Sequence, residues 1–194
     1  MTLSSLASCD TALAVAAVLY DRSAPVDRLL AAVARELALS GVRVGGLVQH
    51  NIRRSADAPC VIDLEDVTSG ERYRITQDLG CGSDSCSLDA AMLAEASVAV
   101  RNAVAAQAEL VIVNKFGTQE ATGHGLRDEI GQVVAAGIPL LTAVGDRYLE
   151  QWREFTGGEA VLLPASLPAV LEWWAKIRGA ADSCSSDALV TSCA

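Results

Sequence analysis

The chain is short of positive charge. Its 194 residues hold 15 Lys and Arg against 24 Asp and Glu, a formal charge of -9, so it lacks the clustered cations that supply most nonspecific nucleic-acid affinity. DNA and RNA are therefore not expected partners. An apolar run of membrane-spanning length is also missing: Leu13 to Tyr20 is far too short, and no basic stretch precedes it. Neither a signal peptide nor a membrane helix is supported, and the expected location is the cytoplasm. Of the six cysteines (Cys9, Cys60, Cys81, Cys86, Cys184, Cys193) only the pair in "CGSDSC" is close, and its C-x4-C form, at the outer limit of zinc-site spacing, is a weak metal signal because no second Cys or His pair stands at motif distance. We read them as thiols, with Cys81 and Cys86 in a Gly- and Ser-containing turn. Apolar residues make up 51% of the chain and mean hydropathy is +0.30, enough for one well-buried core.

Hydrophobic patterning predicts an α/β domain with a mostly parallel, doubly wound sheet. After a leader of residues 1–11, "ALAVAAVLY" is a continuous apolar run of strand length, as expected of a strand buried on both faces. Pro25 suits the first turn of a helix in which Leu29, Val33 and Leu37 share a stripe, and Gly41 closes it. "VRVGGLVQ" follows as the second strand. Two short runs flank Thr68-Ser69-Gly70, which predicts a β-hairpin inserted beside the sheet and ending near Asp78. Ser87 is a candidate cap for an Ala-rich helix carrying Met92, Ala96, Val100 and Val104, which leads into the strand "ELVIVN". A helix with Leu126, Ile130 and Val134 closes at Gly137 before the strand "IPLLTAV". "DRYLEQWREF", "EAVLLP" and a helix capped by Ser166 complete a domain of residues 12–179. Residues 180–194 lack periodicity and are expected to be a disordered tail.

Ligands of doubly wound sheets bind outside the carboxyl ends of the strands, where loops converge and helix N-termini present free amides. That rule selects Tyr20-Asp21-Arg22-Ser23, Gln49-His50-Asn51, Asn114-Lys115-Phe116-Gly117 and Gly145-Asp146-Arg147, with His124 nearby. Each has a plain alternative: Arg22 as a solvated cation, Asn51 as a turn residue, and Gly117, Gly123 and Gly125 as permissive bends. Lys115 differs in degree. It follows an apolar strand and precedes Phe116, so its ammonium requires a partner, either a carboxylate such as Glu120 or Asp21 or a bound anion.

The run "LVIVNKFGTQEATGHGLRDEI", with "GVRVGGLVQHN", "CSLDAAMLAEA" and "GIPLLTAV", resembles a bacterial family of uncharacterised domains. That family is itself similar to the P-loop nucleoside-triphosphatases first described from thermophiles. The resemblance covers about residues 12 to 175 and implies a P-loop-NTPase-like fold. In those relatives the first strand leads into G-x-x-x-x-G-K-[ST], and a later strand ends in two acids followed by Ile-Gly and then Glu. Here "YDRSAPVDR" has neither glycine nor lysine, and Asn114 and Lys115 stand at the two acidic positions, while Gly117 and Glu120 keep the outline. Phosphoryl transfer depends on those missing parts.

The resemblance thus implies a scaffold whose catalytic equipment has been replaced. It suits a non-hydrolysing binder of a small oxyanion or phosphorylated ligand. The ligand-binding candidates are Lys115, Asn114, Gly117, Glu120, Arg22, Ser23, Gln49, His50, Asn51 and His124, with no catalytic residue, no metal and no cofactor specified. The family's association with molybdate-transport proteins makes molybdate one candidate, beside phosphate. Two other readings stand: a residual nucleoside-triphosphatase, and a protein-interaction module, which an exposed patch around Trp152, Trp173 and Trp174 would favour. A homo-oligomer is compatible with each.

Overall fold

The computed structural model describes residues 14–21, 24–52, 61–77 and 87–190. Strand β1 (Val15–Tyr20) leads to helix α1 (Val26–Leu39) and strand β2 (Val44–Ile52). The hairpin β3 (Val61–Asp66) and β4 (Arg72–Arg74) follows, then the two-residue strands β5 (Thr76–Gln77) and β6 (Ser87–Leu88). Helix α2 (Ala90–Ala105), strand β7 (Leu110–Phe116), the single turn α3 (Thr118–Ala121), helix α4 (Arg127–Ala135) and strand β8 (Leu140–Gly145) restore the alternation. After a 3-10 turn at Asp146–Tyr148 come α5 (Leu149–Thr156), β9 (Val161–Pro164) and α6 (Leu167–Val190).

Seven strands form one sheet in the order β4-β3-β2-β7-β8-β1-β9. All pairings among β2, β7, β8, β1 and β9 are parallel, and the hairpin extends the β2 edge in antiparallel fashion, as its turn signal predicts. Alternate residues of each central strand feed two cores. Ala16, Val18 and Ile112 pack with Leu30 and Val33 of α1 and with Val170, Trp173 and Trp174 of α6. Val15, Ala17, Val111 and Val113 pack on the opposite side with Ala96 and Val100 of α2, Ile130 of α4 and Trp152 of α5. Burial on both faces is why these strands read as unbroken apolar runs.

The predicted helix ends hold where glycine meets backbone geometry. At Gly41 (φ 81°) and Gly137 (φ 69°) the chain turns left-handed, and paired bonds close each end: Gly41 N to Ala38 O with Val42 N to Leu37 O, and Gly137 N to Val134 O with Ile138 N to Val133 O. Two boundaries and one element differ from expectation. Asp89, not Ser87, caps α2, because its carboxylate reaches the amides of Ala91 (3.0 Å) and Met92 (3.1 Å), while Ser87 pairs with Gln77 in the small ladder. The β5–β6 ladder itself was not foreseen; runs of two residues carry no readable period. Helix α6 extends to Val190, past Ala180, where the expected tail begins. Trp152, Trp173 and Trp174 are all buried, at 1%, 6% and 6% exposure, so they form no surface patch.

Candidate functional site

The polar residues that the sequence placed at strand ends converge on a side chain it did not single out. Asp27 lies in the first turn of α1, where a carboxylate is favoured by free amides and the helix dipole. From there it reaches over the carboxyl end of the sheet. Its Oδ1 accepts from Asn114 Nδ2 (3.0 Å) and Lys115 Nζ (3.3 Å), both at the end of β7. Its Oδ2 accepts from Asn51 Nδ2 at the end of β2, and Asn51 in turn accepts from Gln49 Nε2 at 2.8 Å. One carboxylate therefore ties together three elements that lie far apart in sequence.

Lys115 has the partner its setting demanded, but it is Asp27 rather than Glu120 or Asp21. Its side chain keeps 28% exposure, against 15% for Asp27, and its ammonium sits 5.7 Å from the centre of the Tyr20 ring. Tyr20 ends β1, paired with Gly145 of β8. The chain leaves β1 toward one face of the sheet and β8 toward the other, so this pair marks the crevice where a doubly wound fold opens. Burial raises the Tyr20 hydroxyl above its ordinary pKa, and the nearby Lys115 charge opposes that shift. On the far side of the crevice Tyr148 hydrogen-bonds Thr118, and Arg147 stacks on Tyr148 at 4.6 Å. The Asn114–Lys115 peptide is cis.

The remaining predicted residues divide. Glu120 is buried and fully engaged with backbone: its Oε2 accepts from Gly117 N at 2.9 Å and its Oε1 from Leu126 N at 3.0 Å. It staples the loop between β7 and α4, and Gly117 is part of that staple. His50 lies out on the hairpin face, 3.2 Å from Glu65 Oε2 but without hydrogen-bond alignment. His124 is exposed in its own turn beside Thr122. Arg22 and Ser23, like Cys81 and Cys86, fall outside the described residues. Gln49, Asn51, Asn114 and Lys115 are thus brought together on Asp27, whereas among the described residues no side-chain hydrogen bond or ion pair joins Glu120, His50 or His124 to that cluster. Asn114 Oδ1 is buried without a partner among those residues. They also hold no cluster of three or more metal-ligating side chains and no helix long and apolar enough to cross a membrane.

Sheet order, two-faced packing and a polar crevice at the strand ends define a P-loop-NTPase-like α/β domain. A solved structure described as that of a human cancer-related nucleoside triphosphatase superposes with a TM-score of 0.60, covering 81% of this chain and 96% of that one at 16% identity, a likeness of fold. Residues 15–173 match the family described as "Protein of unknown function (DUF2478)", and the chain belongs to that family. It is also similar to the molybdenum import ATP-binding protein ModC 2 of Bradyrhizobium diazoefficiens, 44% identical over 160 residues. That match takes in 82% of this chain but only 18% of the relative, so the chain spans less than a fifth of the curated protein it resembles.

Proposed function

We propose that this domain is a degenerate P-loop-like scaffold that binds a small oxyanion or phosphorylated ligand at the carboxyl end of its sheet and does not hydrolyse nucleoside triphosphates. The observation that carries the reading is Lys115. The chain has two lysines, and the other, Lys176, is on the outside of α6, paired with Glu172 and 74% exposed. Lys115 projects from the end of β7, at a position where the resemblance to P-loop relatives implies an acid. Its ammonium has three N–H groups, and Asp27 takes one. Asn51 and Gln49 line the same cluster. The name of the longer relative supports including molybdate among candidate ligands, beside phosphate. The same reading has the domain acting in the cytoplasm with reduced cysteines, alone or as a homo-oligomer.

The test is a thermal-shift screen of phosphate, sulfate, molybdate, tungstate, ATP and GTP, followed by calorimetry on the wild type and on Lys115→Ala. An anion that binds only the folded state raises the melting temperature, and losing one charge-assisted contact should weaken it by roughly ten- to a hundredfold. Equal binding by Lys115→Ala, or no anion bound at all, refutes the site. Magnesium-dependent phosphate release abolished by a change within residues 20–28 or 114–120 refutes the non-hydrolysing part.

A further inference from the structure

The cation of this site comes with a carboxylate already in place, and that pairing limits which anions fit. Asp27 offers about four lone-pair positions, of which Asn51, Asn114 and Lys115 fill three among the described residues, leaving one on Oδ2. Asn114 adds a second acceptor: the residue is 3% exposed, its amide nitrogen donates one N–H to Asp27, and its Oδ1 has no partner among the described residues. Buried acceptors are rarely left unpaired, and this one calls for a donor. Lys115 retains two N–H groups. The cluster therefore presents donors and acceptors together, with one positive and one negative charge.

Resting on the oxyanion reading above, we propose that the site selects a tetrahedral oxyanion that carries its own proton, inorganic phosphate or its close analogues, over aprotic dianions. Near neutrality sulfate, molybdate and tungstate carry no proton, so an oxygen turned toward Asp27 meets a like charge. Hydrogen phosphate can place one oxygen on Lys115 and donate its O–H to Asp27 or Asn114, an O–H···O⁻ contact of the short, strong kind when the acceptor is the carboxylate. The acceptor that repels one class of anion anchors the other. This assigns to Asp27 a specificity role, and it sets the expected ligand apart from molybdate.

Calorimetry at neutral pH with phosphate, arsenate, methyl phosphate, sulfate, molybdate and tungstate, on wild type and Asp27→Asn, tests this. Phosphate and arsenate should bind the wild type roughly ten- to a hundredfold more tightly than the three aprotic anions, the worth of one charge-assisted hydrogen bond. Methyl phosphate is the control of similar shape: with a second pKa of about 6 it is mostly the unprotonated dianion at neutral pH, so it should bind as weakly as sulfate, and binding as tight as phosphate would overturn the proton-donor account. In Asp27→Asn the preference should shrink or reverse, chiefly because the aprotic anions gain. Wild type that bound molybdate or sulfate as tightly as phosphate, with Lys115→Ala abolishing both, would overturn the selectivity and leave the anion site standing. Anions that bind neither protein, or that ignore Lys115, would remove both readings. The wild-type series decides the matter even if Asp27→Asn folds poorly.

Discussion

Replacing Glu120 by Gln separates the two roles this residue could have, ligand contact or backbone staple. The exchange is nearly isosteric, so it opens no cavity. In the native loop both carboxylate oxygens accept from backbone, Gly117 N at 2.9 Å and Leu126 N at 3.0 Å, and the side chain is buried. A hydrogen bond to a charged group contributes about 1.5–3 kcal/mol. Glutamine keeps one acceptor and turns its NH2 toward the other amide, so one bond is lost and two donors face each other in a buried place. We expect a loss of about 2–3 kcal/mol, which for a chain of this size lowers Tm by about 4–12 °C. Urea denaturation should show a lower midpoint with an unchanged slope. Hydrogen exchange at Gly117 and Leu126 should accelerate more than at β1. A change below about 0.5 kcal/mol, the range of ordinary surface substitutions, would refute the staple. Anion affinity lost without any change in stability would instead return Glu120 to the ligand site.

Gly125→Ala should cost about 1–3 kcal/mol by the same measurement, since φ is +65° and a new Cβ would lie 2.2 Å from Glu120 Oε1. Combined with Glu120→Gln its effect should not be additive, because both changes act on one contact. Arg101 bridges Ser97 (2.7 Å) and the buried Glu129 (2.8 Å), joining α2 to α4; Arg101→Ala should cost about 1–3 kcal/mol, and less once Glu129 is already Gln. Tyr73 donates its hydroxyl to Glu71 at 2.8 Å, and this bond and burial push its pKa up to about 12. Its folded pKa lies above the ordinary value of about 10, so its stabilising contribution is complete below pH 10 and is lost as pH rises toward 12. Tyr73→Phe should flatten that part of the stability curve, as read by denaturation at alkaline pH, and an unchanged slope would contradict the assignment. Truncation after Gly179 should leave a folded domain; failure to fold would show that the last turns of α6 are needed.

How far the sequence could be read follows from the range of each signal. The central strands were legible because burial on both faces writes itself as "VAAVL" and "LVIV", and the helices because periodic apolar residues end at Gly41 and Gly137. Lys115 and Asn114 stood out because a polar pair after a fully buried strand is conspicuous. Asp27 did not, since an acid in the first turn of a helix is ordinary on electrostatic grounds. Its partners are 24, 87 and 88 residues away, a separation no local pattern reports. One signal was available: the helix after the first strand opens toward the strand ends, so an acid there faces whatever those ends carry. Glu120 stood out as a possible partner for Lys115 and as part of the outline shared with P-loop relatives, not as a backbone staple; its closeness to two amides depends on the left-handed turn at Gly125 and appears only in three dimensions.

The order of the sheet also governs how the chain can be made. β1 is the first of the described strands, yet its neighbours are β8 and β9, whose residues begin at Leu140 and Val161. During synthesis β1 therefore lacks both of its neighbours in the described sheet until the segments beginning at Leu140 and Val161 have emerged. Contacts of such long range slow folding, and an unpaired apolar strand is exposed to aggregation while it waits. Partial chains ending before β8 should consequently collapse around β2, β7 and α2 without closing the sheet. The crevice at Tyr20 and Gly145, and the seat beside it, come into being only when the first strand is finally enclosed.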